Sequence, residues 1–214
     1  MTTPTPTADY PVRFTIEPET GPRNKMTVGF RWLLGFPHVV MVGGAMVAGA
    51  GLQEHVLGAG AWGVLGAAAL FSMVICWFAI LFDKGHPRGL FDLCLYYLRW
   101  RVRALAYTSM FRDEYPPFGE GPYAASVEVE YPEGPRSKAS VGWRPITVIP
   151  HLIALFFLWI AWFVTSVIAW FAILFTGKYP EGLQTFGIGV MRWSVRVEAY
   201  ALLMTDVYPP FSLE

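Results

Sequence analysis

The sequence repeats itself, and this repeat constrains the fold more than any other feature. The recurring segments are Trp-Phe-Ala-Ile-Leu-Phe at 77–82 and 170–175, Arg-Trp at 99–100 and 192–193, and Tyr-Pro-Pro-Phe at 115–118 and 208–211. These pairs lie 93 positions apart, whereas Pro37-His38 and Pro150-His151 lie 113 positions apart. A tandem repeat of this length indicates two copies of one structural unit. The change of offset places 20 additional residues in the first copy, between Pro37 and Trp77.

The composition indicates an integral membrane protein. Hydrophobic residues make up 54% of the chain and charged residues only 15%, and the mean hydropathy is +0.41. The net charge of zero gives no indication of a nucleic-acid partner. Residues 1–9 are a Thr/Pro-rich tail, predicted to be flexible and unlike a signal peptide. Cys76 and Cys94 lie in apolar context and are interpreted as packing residues.

The first copy, residues 10–118, is predicted to contain a membrane hairpin at about 32–82. Its two apolar stretches, 32–50 and 61–82, each approach the ~20 residues that cross a bilayer. The Gly-rich segment 51–60 between them, which has no Lys or Arg, is predicted to be the turn.

The second copy, residues 119–214, offers one apolar segment at about 145–175. Its 31 residues would form a helix of about 46 Å, too long for one upright crossing and too short for two. One long tilted helix and a short hairpin both remain open. The hairpin is favoured because it matches the first copy and keeps every Lys and Arg on one side of the membrane. This side is expected to be the cytoplasm, with both termini on it, at the bacterial inner membrane.

A helix carrying arginines near its middle is predicted after each membrane segment, at about 89–110 and 182–204. Because charges inside a spanning helix are costly, both are interpreted as amphipathic helices in the membrane interface, with Tyr107 and Tyr200 at headgroup level. The alternative is a spanning helix whose arginines face a protein interior. The candidate residues for lipid headgroups or the interface are Arg99, Trp100, Arg103, Arg192, Trp193 and Arg196.

Each copy begins with a segment that alternates apolar and polar residues, at 12–16 and 127–131. Alternation of this kind predicts two short strands, which we expect to pair with each other. Asp113 and Asp206 occupy equivalent positions near a helix C-terminus. A carboxylate there is unfavourable for the helix dipole, so each is predicted to have a basic partner.

These segments resemble the bacterial membrane family known as domain of unknown function 4389, present here as two tandem copies. The second copy carries the resemblance most fully, through Ile149-Pro150-His151, the segments 170–180 and 192–197, and Tyr-Pro-Pro-Phe at 208–211. The first copy departs from it at Phe36, at 83–86 and in the additional residues. The resemblance implies a mostly helical membrane protein of two repeats, each with a short strand, a hydrophobic helical hairpin and an amphipathic interfacial helix. It implies no activity.

Three functional hypotheses follow. The favoured one is a non-catalytic accessory or assembly subunit of a larger membrane complex, with Trp159, Trp162, Phe163 and Trp170 as candidates for packing against a partner. The second is an autonomous membrane-organising protein that binds anionic lipids through the arginine-bearing helices. The third is haem or metal binding by His38 and His151, although no metal or other cofactor is predicted in the favoured hypothesis. The catalytic signatures Gly-x-Ser-x-Gly, His-Glu-x-x-His and Cys-x-x-Cys are missing from the sequence.

Overall fold

The computed structural model describes residues 10–43, 59–82 and 85–214. It is mostly helical, as predicted, with 63% helix and 5% strand. The predicted tail at 1–9 and the predicted turn at 51–60, apart from its last two residues, lie outside the described residues. The elements in chain order are β1 (Val12–Ile16), α1 (Lys25–Gly29), α2 (Arg31–Val42), α3 (Ala59–Leu81), α4 (Arg88–Thr108), β2 (Ala125–Val129), α5 (Lys138–Thr147), α6 (Ile149–Thr176) and α7 (Glu181–Ala201).

The two strands form an antiparallel sheet between the two copies, as the sequence predicts. Phe14 pairs with Val127, its own equivalent in the other copy, and the pairs on either side are related in the same way. The register is therefore symmetric about the Phe14–Val127 pair. Because two antiparallel strands are related by a two-fold axis perpendicular to their sheet, a pseudo-two-fold axis passes through this pair. The pairs Arg13–Glu130 and Thr15–Ser126 are bonded through their exposed side chains.

The apolar segment of the second copy is one helix, so the hairpin predicted there is wrong. Helix α6 runs for 28 residues from Ile149 to Thr176, and Gly177 ends it in the left-handed conformation at φ 75°. Pro150 lies in its first turn, where proline is tolerated, and no glycine or proline follows until Gly177. The alternative of a single long helix is thus confirmed, and repeat symmetry misled the prediction.

The hairpin predicted for the first copy is also wrong, because α2 and α3 lie end to end along α4. His38 of α2 contacts Trp100, and further along, the Cys94 thiol lies 3.9 Å from the Ala69 carbonyl of α3. A hairpin would reverse α3 and place Ala69 nearer the C-terminal end of α4. The inward-facing positions of α2 and α3 follow one another as those of α5 and α6 do. Positions 31, 35, 38, 42, 66, 69, 76 and 80 match 144, 148, 151, 155, 159, 162, 169 and 173.

The long helix of each copy, α3 in the first and α6 in the second, ends against the beginning of the other copy. The Trp77 indole N–H donates to the Val141 carbonyl, and the equivalent Trp170 indole donates to the Val28 carbonyl, both at 3.1 Å. Both contacts join equivalent residues, so the copies exchange the ends of their helices reciprocally. The two long helices consequently run antiparallel.

Helices α4 and α7, which carry the central arginines, lie inside this arrangement. Trp100, Tyr107, Trp193 and Tyr200 are at most 6% exposed, so they pack inside the molecule, and their depth in a membrane stays a prediction. The long helix of the same copy covers one face of each, and the sheet packs against another. The alternative, in which arginines face a protein interior, describes their environment correctly.

Two helical segments are long and apolar enough to cross a membrane: Gly63–Leu81 and Lys138–Thr176. Each contains an 18-residue window with a mean hydropathy of 2.4, of which only 28% and 17%, respectively, is buried in the molecule. Most of each apolar segment therefore faces outward.

Candidate functional site

Asp206 organises a cluster where the second copy turns from α7 towards its C-terminus. Its carboxylate accepts hydrogen bonds from Arg136 and Arg144 at 2.8–2.9 Å and from the Ser137 backbone N–H at 3.1 Å. Burial by itself would raise the pKa of Asp206, but the bonds from Arg136, Ser137 and Arg144 outweigh it and lower the pKa to about 2. Arg144 also donates to the carbonyls of Tyr200 and Thr205, satisfying groups that the end of α7 leaves free.

The first copy has the same cluster around Asp113. Arg23 and Arg31 lie 3.2 and 2.8 Å from its carboxylate, and both arginine side chains are fully buried. Arg31 likewise donates to the carbonyls of Tyr107 and Arg112. The predicted basic partners of Asp113 and Asp206 are confirmed. We call these two groups the corner clusters: Arg23, Arg31 and Asp113, and Arg136, Arg144 and Asp206.

His151 lies in an aromatic box made from the repeated motifs. Its Nδ1 accepts a hydrogen bond from the Trp193 indole N–H at 3.2 Å, and its ring stacks on Phe211 at 4.0 Å. Tyr208 packs beside the ring and donates to the Thr147 carbonyl. The Pro-His, Arg-Trp and Tyr-Pro-Pro-Phe motifs thus meet at one place.

His38 has the same surroundings in the first copy. Trp100 donates to its Nδ1 at 2.9 Å, and Phe118 stacks on its ring at 4.5 Å. We call these two environments the histidine boxes: His38, Trp100, Tyr115 and Phe118, and His151, Trp193, Tyr208 and Phe211. Each box belongs to one copy, so the structure does not bring the two imidazoles together on one ligand.

The hydrogen bonding of the histidine boxes does not favour haem or metal ligation. An indole nitrogen can only donate, so Nδ1 of each histidine carries the lone pair and Nε2 carries the proton of the neutral ring. A ligating histidine needs the reverse arrangement, with its second nitrogen donating to an acceptor. Nε2 of both histidines is buried and has no hydrogen-bond partner. Within the part of the chain that the structure describes, no group of three His, Cys, Asp or Glu residues is placed to hold a metal ion.

The four arginines predicted to bind lipid headgroups each donate to the protein backbone. Arg99 donates to the Val127 carbonyl of β2 at 3.3 Å, and Arg103 to the Gly119 carbonyl at 2.8 Å. Their equivalents Arg192 and Arg196 donate to the carbonyls of the last two residues of the chain. The structure therefore uses these guanidinium groups to attach the segments that follow α4 and α7.

The four residues proposed to pack against a partner do not share one outward face. Trp162 is 4% exposed, stacking with Phe111, while Trp159 donates to Ser194 and Trp170 to the Val28 carbonyl. Phe163 is 42% exposed and lies on the outer surface. A partner can reach Phe163 freely, whereas each of the three tryptophans makes contacts within the molecule.

Sequence reasoning missed a buried ionic group in which the two copies differ. Arg101 of α4 lies 3.0 Å from the Glu198 carboxylate of α7, and Tyr97 donates to Glu198 at 2.6 Å. Arg101 also donates to the Val42 carbonyl, the end of α2, at 2.8 Å. In the other copy the position of Arg101 is taken by Ser194. Aligning the two copies places Arg101 opposite Ser194, and this difference could have indicated the ionic group.

Comparisons with known proteins agree with this two-copy arrangement. The family model described as Domain of unknown function (DUF4389) matches residues 55–119 and again residues 138–212. Comparisons with curated proteins and with solved structures give no match. Since the two matches together span well over half of the chain, the protein belongs to the DUF4389 family, as two tandem copies of its domain.

Proposed function

We propose that this chain is a non-catalytic protein of the bacterial inner membrane that serves as an accessory or assembly subunit of a larger membrane complex. One observation carries the proposal: the candidate polar groups are bonded inside the molecule, while the long helices expose apolar side chains. Phe71, Phe157 and Phe175 are 69%, 65% and 78% exposed. Exposed apolar surface of this extent requires lipid or an apolar protein partner.

The non-catalytic part of the proposal rests on the corner clusters and the histidine boxes. A general acid or base must be within reach of a substrate proton. The carboxylates of Asp113 and Asp206 are each bound by two arginines, and His38 and His151 are 0% exposed beneath aromatic rings. These groups support the fold, and their arrangement suits a scaffold better than a reaction centre.

The subunit part rests on the outer faces of α3 and α6. Inside a membrane, helices associate by close packing, because lipid tails offer no less apolar contact than a neighbouring helix does. Large exposed side chains such as Phe163 and Phe71, at 42% and 69%, supply contacts for such packing on part of these faces, and acyl chains cover the rest. Placement at the inner membrane with cytoplasmic termini is part of this proposal.

A second candidate function is an autonomous protein that organises lipids. It is favoured by the exposed Lys25 and Lys178, which meet at one corner because the Arg23 backbone N–H donates to the Gly177 carbonyl. Two ammonium groups beside an apolar surface suit anionic lipid phosphates. Lys25 donates to the Phe175 carbonyl at 3.1 Å, but an ammonium group has three donors and keeps others for a phosphate.

Native mass spectrometry after extraction in mild detergent tests the two candidates. The matched variant is Lys25→Ala/Lys178→Ala, which removes the exposed corner charges without changing the apolar faces. A discrete heteromeric assembly that persists in the variant is the expected result. A homomer that carries anionic lipid, and loses it in the variant, would replace the subunit function with the second candidate.

A further inference from the structure

We infer that the protein lies in one leaflet of the bilayer, with its two long helices parallel to the membrane plane and the sheet directed towards water. The surface that meets lipid is the outer faces of α2, α3 and α6, and its occupant is the acyl region of that leaflet. The inference keeps the membrane location of the proposed function and does not depend on the subunit role.

The first step concerns the direction of the long helices relative to the pseudo-two-fold axis. The axis is perpendicular to the sheet at the Phe14–Val127 pair. The reciprocal contacts Trp77–Val141 and Trp170–Val28 make the two long helices antiparallel. Two helices that a two-fold axis turns into antiparallel copies are perpendicular to that axis. The long helices therefore lie in a plane parallel to the sheet.

The second step concerns which face each layer occupies. On α4, Cys94 and Arg101 are seven residues apart and face α2 and α3. Arg99, which reaches β2, lies five residues after Cys94, about 140° around the helix. By symmetry α7 separates β1 from α6 in the same way. The molecule thus has a sheet layer, a middle layer of α4 and α7, and an apolar layer of long helices.

The third step compares the two orientations that these layers permit. If the long helices crossed the membrane, the axis would lie in the bilayer midplane and the sheet would lie at that depth. Its outer face carries Arg13 and Glu130, whose side chains are 66% and 68% exposed, and the exposed Glu128. Charged side chains facing lipid at the midplane are strongly disfavoured. With the axis along the membrane normal, the same side chains face water.

Helix length gives an independent reason for the flat orientation. The apolar stretch 145–175, continuous within α5 and α6, is about 46 Å long. Fitting it across ~30 Å of hydrocarbon would need a tilt of about 50°, beyond the range of ordinary spanning helices. A helix that lies along the leaflet has no such limit. An 18-residue window within Lys138–Thr176 has a mean hydropathy of 2.4 and is only 17% buried, which suits immersion among acyl chains rather than contact with water.

Double-cysteine labelling tests whether the two ends of the long helices lie on the same side. Cys76 and Cys94 are both 0% exposed and are first replaced by alanine. Lys25→Cys and Lys138→Cys then mark equivalent positions at opposite ends of the molecule, both exposed. The full-length protein is reconstituted in vesicles of phosphatidylethanolamine and phosphatidylglycerol and treated with a membrane-impermeant maleimide. Intact-mass measurement counts the labels on each molecule.

The expected result is molecules with two labels or none, whichever way the protein is inserted. Molecules with one label in intact vesicles and two after lysis would mean a crossing and would overturn the inference, while leaving the subunit function in place. Failure to associate with the vesicles would also overturn it, because the occupant would then be protein.

Depth measurement provides a second readout on the same protein. Spin labels at Ile153, Ile160 and Phe171 all lie on the exposed face of α6. In a crossing helix, the outer two would differ by about 27 Å along the membrane normal. The flat orientation predicts similar depths at all three positions. A profile that passes through the bilayer centre would overturn it.

Discussion

The additional residues of the first copy interrupt a helix that is continuous in the second copy. Gly43 leaves α2 at φ 71°, and Gly63 has φ 70° where the regular part of α3 begins. A Cβ on Gly63 would lie 2.5 Å from the Gly43 nitrogen and 2.6 Å from the Met41 carbonyl. The chain therefore leaves the helix and returns to it at nearly the same point.

Deleting residues 43–62 should repair this helix. The deletion joins Val42 to Gly63, which corresponds to the junction of Leu155 and Phe156 inside α6. By the length dependence of chain closure, a connection of 20 residues costs about 2.7 kcal/mol, so its removal should stabilise the chain by about 2 kcal/mol. A glycine inside the repaired helix would retain a cost of about 1 kcal/mol relative to alanine.

The substitution Gly63→Ala distinguishes the repaired helix from the natural junction, because its effect on the free energy of unfolding should have opposite signs in the full chain and in the deletion chain. In the full chain it places a Cβ against the Met41–Gly43 backbone at positive φ, and we expect destabilisation of about 1–3 kcal/mol. In the deletion chain the same substitution should stabilise by about 1 kcal/mol.

Thermal unfolding in detergent, followed by circular dichroism, measures both effects. For a chain of this size, each 1 kcal/mol shifts Tm by about 2–4 °C. A deletion chain that does not fold would refute the end-to-end arrangement of α2 and α3. The same conclusion would follow if Gly63→Ala acted with the same sign in both chains.

Three further predictions concern the buried polar groups. Arg101→Ala should destabilise by about 3–5 kcal/mol because it leaves the Glu198 charge without its partner; the double change Arg101→Ser/Glu198→Leu, which copies the other repeat, should cost less in the same thermal assay. Asp206 should contribute about 1–2 kcal/mol above pH 4, allowing for its 26% exposure, and lose it as the pH falls from its ordinary pKa of 3.8 towards about 2. Acid titration of Asp206→Asn should lack that loss, and an unchanged profile would contradict it. His151→Phe should cost about 1–3 kcal/mol by leaving the Trp193 N–H without an acceptor, and a double-mutant cycle with Trp193→Phe should show coupling, whereas strict additivity would exclude the bond.

Repetition in the sequence predicts the elements of this fold better than it predicts their arrangement. The strands, their pairing between copies and the basic partners of Asp113 and Asp206 follow from local patterns and equivalence, and the structure confirms them. The hairpin of the first copy fails because two apolar stretches separated by a glycine-rich segment predict a turn equally well whether the arms fold back or continue. The hairpin of the second copy is inferred from the first by symmetry and fails with it. Only the contacts of Ala69 and Trp77 with other elements decide the direction of α3.

The arginine-bearing helices show why burial could not be predicted. Arg99 and Arg103 lie on one helical face, a spacing that suits an interfacial helix and a buried one alike. They donate to the carbonyls of Val127 and Gly119, which lie too far from them along the chain for a local pattern to predict the bonds. Sequence also could not indicate that the two histidines belong to separate boxes, because symmetry alone allows them to face each other.

The reciprocal contacts between the copies imply that neither copy is complete alone, and this leads to a last prediction. Residues 119–214 expressed alone would expose Trp170 and the surface of Val141, which each pack on the other copy in the full chain. The two surfaces are complementary to each other, so two molecules of the second copy can pair. Trp170 of one molecule can then donate to Val141 of the other, as Trp77 does in the full chain. The strand can also pair with itself, because Val127 pairs with its own equivalent in the natural register. The isolated second copy should therefore form a two-fold homodimer in detergent, detectable by native mass spectrometry, and Trp170→Ala should weaken the dimer while Phe163→Ala, on the outer surface, should not. A stable folded monomer would show that the exchanged helix ends are dispensable and that the copies fold independently.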